Sequence, residues 1–65
     1  PAILNAVNEV SVPAFLNKKI RFDQIPMVNE QVVKEQAVIQ NANLKQIIEA
    51  DKEARGRATK IIEGL

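Results

Sequence analysis

Side chains able to do chemistry are scarce in this chain. Its 65 residues include no His, Cys, Tyr or Trp, and the only hydroxyls are Ser11 and Thr59. A hydroxyl becomes a nucleophile beside a base that takes its proton. Neither hydroxyl has a sequence neighbour that accepts a proton at neutral pH, so both are expected on ordinary helix surface. Carboxylates are more plentiful, and Glu49 and Glu53 fall on one helix face. Such a pair can meet a divalent ion, but two carboxylates on a solvent-facing helix are normally just solvated. Lys18, Lys19 and Arg21 form a small basic cluster that could meet phosphate and is read as a solvated turn. The two aromatics, Phe15 and Phe22, are expected as apolar anchors rather than as a base-stacking platform. The assignment is therefore no catalytic, no cofactor-binding and no metal-binding residue. Without thiol or imidazole, the common zinc and copper ligand sets are also missing.

The most suggestive polar group is Asn5, Asn8 and Glu9, clustered at i, i+3 and i+4. Amides are indifferent helix formers that compete for local backbone bonds. Two of them beside a glutamate in mid-helix predict contact with a specific neighbour, such as a loop backbone or another domain, with an exposed polar face as the alternative.

Nine basic and eight acidic side chains leave a net charge of +1. That balance gives no electrostatic reason to seek nucleic acid or an anionic membrane. No apolar run reaches the roughly 20 residues that span a bilayer, and no signal-peptide pattern opens the chain. The expected setting is the cytoplasm, or the plastid stroma for a plant or algal source. The chain opens on Pro1 rather than on methionine, which suggests a segment of something longer.

Three helices must position these groups, giving an all-α, three-helix bundle that stands alone or forms part of a larger bundle. The first spans about residues 2–16, with Ile3, Ala6, Val7, Val10 and Ala14 as its apolar stripe. Val12 and Leu16 fall on the other side, so contacts on both faces are expected. Pro13 removes the bond to the Glu9 carbonyl, and a bend near Glu9–Pro13 is expected. Ile20-Arg21-Phe22 is a short connector. Asp23 is the expected N-cap of a second helix over about 24–36, whose core residues are Ile25, Val28 and Val32. Glu30 and Lys34 are spaced to pair across one turn. Ile39 to Ala42 reads as a loop. Asn43, followed by Gln46, resembles a capping box that starts a third helix over about 44–63. Its apolar positions are Leu44, Ile47, Ile48, Ala54, Ala58, Ile61, Ile62 and Leu65. Asp51 interrupts that stripe and either pairs with Arg55 or caps a fresh helix. One continuous helix is the favoured reading, with Gly64 ending it. Phe15 and Phe22 complete the predicted core.

Several segments in order resemble one family. Leu4-Asn5-Ala6-Val7-Asn8-Glu9-Val10, Ala14-Phe15-Leu16 and Ile20-Arg21-Phe22-Asp23-Gln24-Ile25-Pro26 look like the C-terminal domain of 1-deoxy-D-xylulose 5-phosphate reductoisomerase. Leu44-Lys45-Gln46-Ile47-Ile48-Glu49-Ala50-Asp51-Lys52-Glu53-Ala54-Arg55 resembles that family's closing helix, in which an "ADxxAR" segment recurs. Val7 stands where the family usually has alanine, Pro13 where it has a non-proline residue, and Gln24 splits the family's "DIP". The resemblance implies a parent enzyme that makes 2-C-methyl-D-erythritol 4-phosphate with NADPH and magnesium or manganese, in the methylerythritol phosphate route to isoprenoids.

In that family the cofactor, metal and phosphate motifs lie upstream, and none is present here. The resemblance therefore implies a non-catalytic structural domain that packs on the upstream domains through Asn5, Asn8 and Glu9. It also implies a further helix just upstream, whose absence would leave apolar stripes open and favour a homodimer. The alternative is a free-standing helical interaction or homodimerisation module.

Overall fold

A computed structural model describes residues 2–36 and 40–65. Three helices follow in order: α1 (Ala2–Leu16), α2 (Gln24–Glu35) and α3 (Leu44–Glu63). No strand occurs among the described residues. Of the predicted loop, Ile39 lies outside the described residues, while Gln40 and Asn41 form a turn. The domain measures 36 × 18 × 18 Å.

Each helix end has its own device. Helix α1 runs through Pro13 to Leu16. It closes with Lys19 N–H donating to the Ala14 carbonyl and Lys18 N–H to the Phe15 carbonyl, both at 2.9 Å. That crossed pair is a Schellman motif, which needs a left-handed residue after the cap; Lys18 takes that place with φ 62°. At α3 the capping box is complete: Gln46 N–H donates to Asn43 Oδ1 at 2.8 Å, and Asn43 N–H to Gln46 Oε1 at 2.9 Å. The helix is continuous through Asp51.

Asp23 is a correction. Its backbone is already helical (φ −68°, ψ −15°) and its side chain caps nothing. The chain begins to turn two residues earlier: Gln24 N–H donates to the Arg21 carbonyl at 3.0 Å, and the Gln24 side chain accepts from Arg21 N–H at 2.7 Å. That bond does for Arg21 what a capping box does for its N-cap residue. Helix α2 also ends one residue before the predicted limit, with Gln36 extended (ψ 125°) at its C-cap.

Contacts between the helices fix their directions. Glu9 of α1 meets Arg55 of α3, and further along Pro13 and Ala14 share a groove with Thr59 and Ile62. So α1 and α3 run parallel. Helix α2 runs the other way: Gln24 at its start shares a groove with Leu65, and Gln36 past its end reaches Ala50.

The core between them is Ala6, Val7, Ala14, Ile20, Val28, Val32, Ala54, Ala58 and Ile62. Ile3, Val10, Phe15, Ile25 and Ile61 pack against it, partly covered. Alanine and valine supply seven of the nine core side chains.

Four residues expected in the core lie outside it. Leu44, Ile47 and Ile48 are 71%, 44% and 50% exposed. The parallel pairing puts Ala2 level with the Ile48 turn, and α2 ends near Ala50. The first turns of α3 therefore project past both neighbours, and an apolar stripe with nothing opposite it among the described residues stays in solvent. Phe22, 72% exposed, lies in the turn before α2, and its ring meets Phe15 edge-on at 5.4 Å. Val12, Leu16 and Leu65 are exposed too.

Candidate functional site

Polar chemistry in this fold gathers at the seams between helices. The α1–α2 seam carries a hydrogen-bonded chain. The Ser11 hydroxyl donates to Asn29 Oδ1 at 3.0 Å, and Asn29 Nδ2 donates to Asn8 Oδ1 at 2.6 Å. Ser11 is fully buried, which corrects its reading as surface. It lies at i+4 from Val7 and i−3 from Ala14, on the buried stripe itself. A buried hydroxyl needs a partner, and losing it would cost about 1–3 kcal/mol. Asn29, unmarked by any spacing or motif, supplies that partner.

The α1–α3 seam carries an ion triad. Arg55 Nη2 stands 2.8 Å from Glu9 Oε2, and its Nε stands 2.5 Å from Asp51 Oδ1. The hydrogen bonds that Arg55 donates to Asp51 and then to Glu9 raise its pKa above the ordinary value. Asp51 interrupts the apolar stripe because it orients the guanidinium that reaches α1. These contacts join two of the segments that carried the family resemblance, the asparagine-rich stretch and Leu44–Arg55.

At the α2–α3 seam Gln36, only 6% exposed, donates from Nε2 to the Ala50 carbonyl at 2.8 Å. Arg57 pairs with Glu53 at 2.8 Å and approaches Glu35 at 4.0 Å. In the turn before α2, Arg21 stands 3.0 Å from Asp23. A hydrogen bond from that guanidinium, with its positive charge, holds the Asp23 carboxyl below its usual range.

Of the trio singled out in α1, Asn8 and Glu9 find partners inside the domain, and Asn5 is exposed. Thr59 bonds back to the Arg55 carbonyl at 2.9 Å, the ordinary helical use of a hydroxyl. Glu30 and Lys34 form no ion pair despite their spacing. Among the described residues no three His, Cys, Asp or Glu side chains converge to hold a metal ion. No helix among them is long and apolar enough to cross a membrane.

A small bundle of three helices with polar links at every seam belongs to the class of all-helical domains. Comparison with known proteins gives the family. Residues 1–57 match the family model described as DXP reductoisomerase C-terminal domain. The chain is 46% identical over 61 residues to 1-deoxy-D-xylulose 5-phosphate reductoisomerase of Halothermothrix orenii, covering 94% of this chain and 16% of that protein. It is 47% identical over 58 residues to the protein of the same name from Pseudomonas aeruginosa, with 89% and 15% covered. The match to the Desulfosudis oleivorans protein of that name is 50% over 58 residues, with the same coverages of 89% and 15%. The chain belongs to the DXP reductoisomerase C-terminal domain family, and it spans about one sixth of the length of these relatives.

Proposed function

We propose that this chain is the helical C-terminal domain of a 1-deoxy-D-xylulose 5-phosphate reductoisomerase, a brace against which the rest of the subunit packs. The parent would act in the cytoplasm, or in the plastid stroma of a plant or alga, early in isoprenoid precursor synthesis. The observation that carries the reading is the bare apolar tip of α3. Leu44, Ile47 and Ile48 crown a domain whose relatives are about six times as long. A patch of that kind on a small domain marks a surface that other protein covers.

NADPH and a divalent metal belong to the parent's reaction. The described residues fit neither. Glu9 and Asp51 are engaged by Arg55, and Glu53 by Arg57. The glycines, Gly56 within α3 and Gly64 at its end, follow no strand that could present a dinucleotide. No step of the reaction is therefore derived from these side chains, and their role is packing.

The test is a graft. In the Halothermothrix orenii enzyme, the 61 matching residues are deleted or replaced by this chain, and NADPH oxidation is followed with 1-deoxy-D-xylulose 5-phosphate and Mn²⁺. Deletion should abolish turnover, and the graft should restore it. The 65-residue chain alone should show none. A graft no better than the deletion, or turnover by the isolated chain, refutes the proposal.

A further inference from the structure

We infer that the Asn43–Gln46 capping box pre-forms the docking face at the tip of α3, given, as proposed above, that the rest of the parent subunit covers that tip. Burial does little to hold these turns. No residue from 43 to 53 is buried, and the first enclosed side chain of α3 is Ala54. The Gln36 bond to the Ala50 carbonyl ties down only the base of the tip. Ile47 and Ile48 are β-branched and only moderate helix formers. Helices in proteins draw most of their stability from packing an apolar face, and here that face is bare. Such an end frays unless its free N–H groups are engaged. The box engages two: Gln46 N–H reaches Asn43 Oδ1 at 2.8 Å, and Asn43 N–H reaches Gln46 Oε1 at 2.9 Å. Ile47 N–H closes the first turn on the Asn43 carbonyl at 3.0 Å.

Helicity decides whether the tip is one surface. In a helix, positions 44, 47 and 48 lie on one face, whereas in an extended chain Ile47 points away from the other two. A frayed tip must refold as it docks, and its apparent affinity drops by the fraction of molecules in the competent form. The box keeps that fraction near one, so the ordering that docking needs is complete beforehand.

The test separates order at the helix end from overall stability. The 65-residue chain is added in trans to the Halothermothrix orenii enzyme lacking its 61 matching residues, and the concentration that restores half of the NADPH oxidation is measured. Asn43→Ala should raise that concentration about two- to fivefold. It should also lower amide protection over residues 47–51 while sparing 58–62, read by hydrogen exchange. Asn43→Asp, which still supplies a capping oxygen, should restore both. Ile62→Val, a core change that weakens the fold by a similar amount, should leave both at the starting values. An Asn43→Ala chain that docks as well as its parent overturns the inference. So does Ile62→Val weakening docking equally, because the box would then serve overall stability alone. If neither the graft nor the added chain restores turnover, the proposed function itself fails. A chain that works only when grafted overturns the inference alone, since a pre-formed tip docks without the covalent link.

Discussion

Truncating Val32 and Leu44 separately asks whether burial or residue type decides what holds this domain together. Val32 is fully buried between the helices, whereas Leu44 is 71% exposed. Val32→Ala removes two methyl groups, about 1.6 kcal/mol of transfer free energy. The void they leave, roughly 50 Å³, adds about 1.2 kcal/mol if it fails to collapse. A loss of about 2–3 kcal/mol follows. Domains of this size hold about 3–10 kcal/mol in all, so the melting temperature should fall by roughly 10–20 °C. Leu44→Ala removes a larger side chain but should change stability by no more than about 0.5 kcal/mol. Urea and thermal melts followed by circular dichroism at 222 nm measure both in the 65-residue chain. A Leu44→Ala variant as damaging as Val32→Ala would refute the burial pattern, and with it the claim that the tip of α3 is bare. Within a full-length grafted enzyme the order should change: Leu44→Ala should then destabilise, because the tip would be covered.

Gly56→Ala should stabilise the chain by up to about 1 kcal/mol, since a Cβ there meets nothing within 4 Å and glycine weakens a helix interior; an unchanged urea midpoint would argue against the helix at that point. Lys18→Gly should stabilise by about 1 kcal/mol, because the residue sits at φ 62°, where a side chain is strained; the same melts measure it. Asn43→Ala should cost about 1 kcal/mol and lower amide protection in the first turn of α3, read by hydrogen exchange, since it removes the acceptor for Gln46 N–H. Asp23 should titrate below 3.8, followed by the NMR shift of its carboxyl carbon, and return toward that value in Arg21→Ala. Because the folded pKa is depressed, the pair's contribution is present above 3.8 and is lost as pH falls through the lower folded value.

Much of this fold is readable from spacing. Periodicity marks the three helices, and the Asn43–Gln46 box marks the start of α3. What spacing leaves out is the length of neighbours. Leu44, Ile47 and Ile48 share one stripe with Ala54, Ala58 and Ile62, but whether a stripe is covered depends on how far α1 and α2 reach. That is a property of their relative offset and not of α3. Asp23 shows a different gap: a good capping residue does nothing where the preceding backbone has already turned. At the seams the misreadings follow polarity. Ser11 looks like surface because it is a hydroxyl, although its position in the stripe puts it inside. Asn29 carries no local signal, since its partners lie 18 and 21 residues away. Glu9 and Arg55 are separated by 46 residues, and only the parallel arrangement of α1 and α3 joins them.

The alanines of α3 have a mechanical consequence. Where Ala54 and Ala58 are completely enclosed, the α3 backbone is gripped with almost no cushioning between it and its neighbours, and such close-packed interiors compress very little. That stretch of α3 has no room for a larger side chain, so any methylene added at 54 or 58 must force the helices apart, whereas the exposed first turns carry no such restriction.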